Sequence, residues 1–430
     1  MTFQSTRETD ASPIGFVEAL HRGLAPDGGL YVPTSPLELP VGWADHSDFQ
    51  DLAAHVLGRW LNGALPAPRL EAAVRDALSF PVQLVPLQGA WRGVHVLELF
   101  HGPTLSFKDF GARSMARLMA ASLEPGSDTT ILVATSGDTG SAVADGFSGI
   151  PGIRVVLLYP EGQVSPTQER QLIVERDGVR ALRVRGTFDD CQRMVKRAFR
   201  NPALSGIRLS SANSINIGRL LPQALYYIWA VARLPGQKVR VCVPSGNLGN
   251  LTAAMLAHLG GLPVDRFLAA HNANRFFPGY LDGESGGFVP SVRTLSNAMD
   301  VGAPSNFERL EWLLGRRGMG ALIDGASVTD RETIARMSEV YETAGYIADP
   351  HTAVGLEAVR RTWPLGEDQP AVVVASTAHP AKFPEAVREA VGTDPAVPER
   401  LSELWHRPVR VEGVDATDEA LARVVLDATA

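Results

Sequence analysis

The sequence is short of lysine and cysteine and has no long apolar run. Only Lys108, Lys196, Lys238 and Lys382 are lysine; the other 36 of the 40 basic residues are arginine. The two cysteines, Cys191 and Cys242, show neither CxxC nor zinc-type spacing. That argues against a disulfide framework and leaves two reduced thiols of a cytosolic protein as the expectation. Apolar runs such as Val155 to Tyr159 and Ala371 to Ala375 have the length of buried strands. A membrane helix needs roughly 18 apolar residues, so no membrane partner is expected. The start, MTFQSTRETDASPIGF, carries no apolar stretch of the signal-peptide kind, and a cytoplasmic location is expected. No GK[ST] loop and no GxGxxG opening a helix is present, so no nucleotide is signalled. His101, His271, His351 and His379 lack metal-ligand spacing, and no metal is expected.

What is present is material for a large globular enzyme. The chain has 430 residues, 45% of them hydrophobic and 20% charged, with a net charge of −7. That length implies more than one domain. The negative charge weighs against nucleic acid as a partner but not against a small anionic substrate, which needs only local positive charge.

From about residue 128 short β-branched runs alternate with helical stretches. Strands are expected at Thr130–Ala134, Arg154–Tyr159, Arg180–Arg185, Lys238–Val243, Arg266–His271 and Ala371–Ala375. One long apolar helix is expected from about Ile215 to Arg233. Such alternation implies an α/β protein whose mostly parallel sheet is covered on both faces. Residues 1–85, rich in Pro, Ala and Leu, read as a separate N-terminal domain. Residues 86–430 read as a catalytic body, with a small subdomain at about 115–235 inserted into a large one (86–114 plus 236–400) and an appended tail at 401–430. Phe276 to Pro290 reads as a long loop. Gly283-Glu-Ser-Gly-Gly287 within it matches the hydrolase GxSxG elbow, but the strand before and helix after that the motif requires are missing.

Lys108 lies in His101-Gly-Pro-Thr-Leu-Ser-Phe-Lys-Asp-Phe-Gly111, among glycine, proline and aromatic neighbours. In a chain that uses arginine for bulk positive charge, an isolated lysine suggests an amine that must lose its proton and attack a carbonyl. Val241-Cys-Val-Pro-Ser-Gly-Asn-Leu-Gly-Asn250 reads as a strand, a glycine loop and a helix start, which together make an anion cradle or simply a tight turn. Ala134-Thr-Ser-Gly-Asp-Thr-Gly140 has the same design, with Thr135, Ser136 and Thr139 placed to hold a carboxylate or to cap a helix. The strand ending in Ser376, Thr377 and His379 places hydroxyls where α/β proteins bind ligands. Lys382, in the same turn, is expected to be a solvated helix-start lysine. Ser211, Asn213, Asn216 and Arg219 open an otherwise apolar segment, where Arg219 suggests a bound anion or a buried ion pair.

Taken together, these motifs resemble the threonine synthase family in its long bacterial form. The matching stretches, in the family's order, are GLAPDGGLYVP at 23–33, ELFHGPTLSFKDFG at 98–111, ATSGDTGSAVA at 134–144 and SSANSINIGRLLPQ at 210–223. They continue with VPSGNLGN at 243–250, TLSNAMDVGAPSN at 294–306, DPHTAVG at 349–355 and STAHPAKFPE at 376–385. The resemblance implies a tryptophan-synthase-β-like fold (fold type II): two open, mostly parallel sheets covered by helices, with an extra N-terminal domain. It implies pyridoxal 5'-phosphate as cofactor and O-phospho-L-homoserine as small-molecule substrate, converted with water to L-threonine and phosphate. No protein partner is indicated.

By the same resemblance Lys108 is the Schiff-base lysine and catalytic base. Ser245, Gly246, Asn247, Leu248, Gly249 and Asn250 hold the cofactor phosphate, and Thr377 faces the pyridine nitrogen. Asp138 lies by the cofactor's ring oxygen, where relatives in the wider fold often carry Asn. A carboxylate there would repel a phenolate-like oxygen unless protonated or turned away. Thr135, Ser136 and Thr139 take the substrate carboxylate, and Ser211, Asn213, Asn216 and Arg219 its phosphate. A related phospho-lyase releasing 2-oxobutanoate is the alternative within the fold. A non-catalytic binding protein is the alternative outside it, and such a protein would have no need of Lys108.

Overall fold

The computed structural model describes residues 1–7, 12–124, 126–135, 137–316, 318–366 and 368–429. In chain order its strands are β1 (Thr2–Ser5), β2 (Ile14–Gly15), β3 (Tyr31–Pro33), β4 (Gln83–Pro86), β5 (Val94–Glu98), β6 (Thr129–Ala134) and β7 (Ile153–Pro160). They continue with β8 (Val179–Arg185), β9 (Leu209–Ser210), β10 (Val239–Pro244), β11 (Val264–His271), β12 (Ile323–Ser327), β13 (Ala371–Ser376) and β14 (Glu412–Asp415). The helices that matter most are α1 (Phe49–Trp60), α2 (Ala67–Ala77), α3 (Lys108–Ser122), α4 (Asp138–Phe147), α5 (Pro222–Ala232) and α6 (Gly249–Leu259).

The first strands form a small antiparallel sheet, ordered β2-β1-β3. Its strands are too short to leave an alternating pattern in the sequence, unlike the amphipathic helices α1 and α2. Asp48 caps α1 by accepting from the Gln50 and Asp51 amides, and Phe49, Leu52, Val56 and Trp60 form the buried stripe.

Two larger sheets carry the chemistry. One is ordered β12-β11-β10-β13-β5-β4, parallel except for the edge pair β4–β5. The other is ordered β14-β8-β7-β6-β9 and is parallel throughout. The chain leaves β5, builds most of the second sheet, and returns at β10. It then runs outward through β11 and β12 before β13 inserts between β10 and β5. A reversal of this kind opens a crevice beyond the carboxyl ends of the strands, where ligands of open α/β sheets bind.

Three expectations are corrected. The single helix expected from Ile215 to Arg233 is broken into Ile217–Leu220 and α5, because Pro222 cannot donate to the helical ladder. The last thirty residues are no appendage: β14 completes the second sheet against β8, and Asp418–Thr429 follows as a helix. The segment after 275 starts with a short helix, Phe276–Leu281, before turning irregular. Among the described residues no helix is long and apolar enough to cross a membrane.

Candidate active site

Lys108 is the first residue of α3, and the loop before it is held tightly. Asp109 accepts from the Thr104 amide at 2.8 Å and the Thr104 hydroxyl at 2.6 Å. A Cβ on Gly102 would collide with that carboxylate, so glycine is required there. Leu105 takes φ of 59°, a left-handed conformation strained for a leucine. The loop is tied to the end of β13: Phe107 N–H donates to the Thr377 carbonyl and His379 N–H to the Leu105 carbonyl. These contacts hold the backbone before Lys108 against the end of β13.

A charged cluster surrounds the Lys108 amine. Asp138, the first residue of α4, is buried with Oδ2 3.9 Å from Lys108 Nζ and Oδ1 2.6 Å from Lys382 Nζ. Lys382 is itself buried and also donates to the Thr104 carbonyl at 3.3 Å, which corrects the expectation of a solvated lysine. Burial alone would raise the Asp138 carboxyl, but Lys382 and Lys108 outweigh it and hold it well below the usual carboxylate range. Lys108 moves the other way: burial, helped by Lys382 and Arg219 and opposed by Asp138, brings the amine down to about 8. The carboxylate is therefore ionised and turned toward an ammonium, which answers the repulsion expected of an unpaired Asp138.

Residues 245–250 form the second half of the site. Leu248 has φ of 62°, and α6 starts at the next residue. The side chains of this loop face the scaffold: Ser245 Oγ donates to the Val243 carbonyl, and Asn247 Oδ1 accepts from the Ser305 amide and hydroxyl. Asn250 Oδ1 accepts from the hydroxyls of Tyr226 and Tyr227, each at 2.7 Å, leaving its buried Nδ2 without a partner. What the loop offers a ligand is backbone N–H, since the first groups of a helix have no intrahelical acceptor. A Cβ on Gly246 would lie 2.9 Å from Met299 Cα, so the backbone here is packed as closely as glycine allows.

Register joins the halves. Cys242 pairs with Val374 and Val374 with Val96, so β10, β13 and β5 end level. Two inter-strand spacings put the ends of β10 and β5 about 10 Å apart.

Comparison with known proteins agrees with this geometry. The pyridoxal-phosphate dependent enzyme family matches residues 83–377, with the threonine synthase N terminus at 2–78 and the threonine synthase C-terminal family at 352–425. A threonine synthase of Haemophilus influenzae is 40% identical over 94% of this chain and 94% of its own. The crystal structure of PLP-bound threonine synthase from Brucella melitensis superposes with a TM-score of 0.91 at 33% identity, covering 100% of this chain and 99% of that one. The Escherichia coli threonine synthase structure gives 0.89 at 38%, covering 99% and 100%. The chain belongs to the threonine synthase family. It is a pyridoxal-phosphate-dependent lyase with threonine synthase activity.

The residues present fit that cofactor: a half-buried amine of lowered basicity, a glycine-lined turn at a helix start, and the orphaned Asn250 Nδ2 at that helix start. For the other positions singled out in this threonine synthase sequence, the structure divides them. Arg219 is buried, donates to the Ala212 carbonyl at 2.7 Å and leaves Nε without a partner. Burial brings its guanidinium down to about 10. Ser211 Oγ is likewise buried and unpartnered, and Asn213 is half-buried nearby. Asn216 is different: Oδ1 caps Gly218 N–H, and Nδ2 donates to the Leu20 and Ser211 carbonyls. Thr135 is also occupied, its hydroxyl accepting from the Gly137 and Gly140 amides and donating to the Gly137 carbonyl. Both are engaged by scaffold groups. Thr139 is half-buried at the start of α4, and Ser136 lies outside the described residues.

The sequence did not single out Asp109, and it placed Lys382 in solvent. The first stands next to Lys108 in the same motif. The second is one of four lysines, and that scarcity was the signal.

Proposed function

We propose that the enzyme converts O-phospho-L-homoserine and water to L-threonine and phosphate, with Lys108 as the covalent attachment point of the cofactor and as the base. The observation that supports this most is that β5, which leads to Lys108, and β10, which leads to the Gly246–Asn250 helix start, end level on either side of β13. Bound there, pyridoxal phosphate supplies an electron sink for proton loss next to the amine-bearing carbon. Gly246, Asn247, Leu248, Gly249 and Asn250 would hold its phosphate, Ser245 would shape the turn, and Asp138 and Thr377 would serve its ring oxygen and pyridine nitrogen. A neutral hydroxyl at Thr377 leaves that nitrogen largely unprotonated.

With substrate bound, the Lys108 amine would act as the base at Cα, and its lowered basicity suits proton transfer near neutral pH. Proton loss at Cα and then Cβ lets the γ-phosphate leave, a proton added at Cγ makes the methyl group, and water adds at Cβ as a proton returns to Cα. Arg219 and Ser211, each with a buried unpartnered donor, grip the substrate phosphate together with Asn213. Thr139 and the first amides of α4 receive the substrate carboxylate. We place the reaction in the cytoplasm, in keeping with the free, buried Cys191 and Cys242.

Product analysis tests this reading. Threonine and phosphate released in equal amounts from O-phosphohomoserine support it; 2-oxobutanoate in place of threonine would make the protein a phospho-lyase. Lys108→Ala must also abolish the visible absorption band that the wild type acquires with cofactor.

A further inference from the structure

Among the described residues lysine forms ion pairs at one place only. Lys108 and Lys382 both converge on Asp138, while the other ion pairs are made by arginine or histidine. Lys382 is placed by the same segment that fixes Lys108. Ser106 and Ala378 form a β-bridge, and Pro380–Lys382 makes one tight turn capped by His379. Asp138 comes from the other sheet, so its carboxylate crosses the cleft to reach two amines at once.

A buried carboxylate with one cation beside it would hold that cation as a salt bridge. If the only partner were Lys108, the amine needed for bonding to the cofactor would be kept as ammonium. Lys382 lies closer to Asp138 than Lys108 does, at 2.6 Å against 3.9 Å, and its second contact is a neutral carbonyl. We propose that Lys382 is a positioning residue: it takes the Asp138 carboxylate as its own counter-ion, keeps that side chain fixed toward the cofactor ring, and leaves Lys108 free as an amine. This rests on the reading of Lys108 as the cofactor's attachment point. The other charged groups reinforce it: Arg219 acts on Lys108 in the same sense as Lys382, and His351 acts on Asp138. Asp109, on α3 itself, feels Lys382, and so does His379.

The test follows cofactor uptake by visible absorption, using the full chain freed of cofactor and mixed with pyridoxal phosphate across a range of pH. In Lys382→Met the uptake midpoint rises by about one pH unit, so uptake at neutral pH slows about tenfold. In Lys382→Met with Asp138→Asn the midpoint returns to the wild-type value or below. Binding of pyridoxamine phosphate, which lacks the aldehyde, stays within about twofold of the wild type in Lys382→Met. A Lys382→Met midpoint equal to wild type overturns the proposal, and so does a double variant that stays as slow as the single one. Weakened pyridoxamine phosphate binding with an unmoved midpoint shows a merely structural ion pair and overturns it too. If the wild type forms no absorbing band at all, the assignment of Lys108 fails instead.

Discussion

Leu105 and Leu248 share a backbone conformation, φ of 59° and 62°, and among the described residues they are the only non-glycine residues with positive φ. One stands three positions before Lys108 and the other immediately before α6. Strain of this kind, about 1–3 kcal/mol per residue, persists where the surrounding structure enforces it, and it gathers at functional sites. Here both strained positions shape the two turns that must face one ligand. Neither was visible in the sequence, where leucine in a turn carries no signal.

Gly246→Ala puts a methyl 2.9 Å from Met299 Cα, a backbone atom that cannot swing aside. Forcing the turn apart costs about 1–3 kcal/mol, which corresponds to roughly 5–150-fold weaker binding of pyridoxal phosphate if the whole distortion falls on the cradle. Titration of the cofactor measures it. Unchanged affinity in a folded variant would show that this turn does not seat the phosphate.

Lys108 sets a pH dependence of stability in the protein without cofactor. Its amine is brought down to about 8 from the ordinary lysine value, so the unfolded chain binds the extra proton through the window between them. For a lowered group the stabilising contribution is present above the ordinary value and is lost as pH falls through about 8. Lys108→Met removes that loss. The variant is expected to be more stable than wild type by about 1–3 kcal/mol at neutral pH, with the gap closing as the pH is raised. Denaturant melts at three pH values check it; equal stability throughout would mean the amine stays well solvated.

The sheet order was legible only in part. The β-branched runs at Ile131–Val133, Val155–Leu158 and Val372–Val374 read as buried strands and are buried strands. The two-residue β9 and the β1–β3 sheet are set by tertiary pairing, and Thr2–Ser5 offers too few residues for a period to show. In the candidate site, Lys108 and the 245–250 turn stand out in the sequence because isolated lysine and glycine-rich strand ends have few other uses. The capping contacts of Asn216 and Thr135 were not legible, because hydroxyl and amide side chains at helix starts cap as readily as they bind. Lys382 was misread because burial depends on what the opposite sheet presents, and Asp138 lies 244 positions away.

Arg309 makes a prediction about folding. It is fully buried in the helix Phe307–Arg316, and donates to the Tyr31 carbonyl at 2.8 Å, Asn306 Oδ1 at 2.8 Å and the Ile215 carbonyl at 2.6 Å. It therefore links the N-terminal sheet, the segment before Arg219 and the residue beneath the 245–250 turn, since Asn306 N–H donates to the Asn247 carbonyl. Arg309→Met leaves three buried acceptors without donors, each costing about 1–3 kcal/mol. Removal of the buried charge offsets part of that, and a net loss of about 3 kcal/mol is expected. Thermal and denaturant unfolding measure it, and a loss below about 1 kcal/mol would show that the three carbonyl groups find other donors.

Arg219 separates the two phosphate sites. Its unpartnered Nε and the free Ser211 hydroxyl point to a ligand anion, and a charge-assisted hydrogen bond contributes about 1.5–3 kcal/mol. Arg219→Ala is thus expected to raise KM for the phosphorylated substrate about 10- to 100-fold, while pyridoxal phosphate affinity changes little because its cradle is built from backbone N–H groups on α6. Losing the cation also removes one influence that keeps Lys108 from holding a proton, so the midpoint of cofactor uptake shifts slightly upward. Arg219→Lys restores charge but not the Nε donor, and recovers only part of the KM. A variant that loses the cofactor with unchanged KM would place the arginine at the other phosphate.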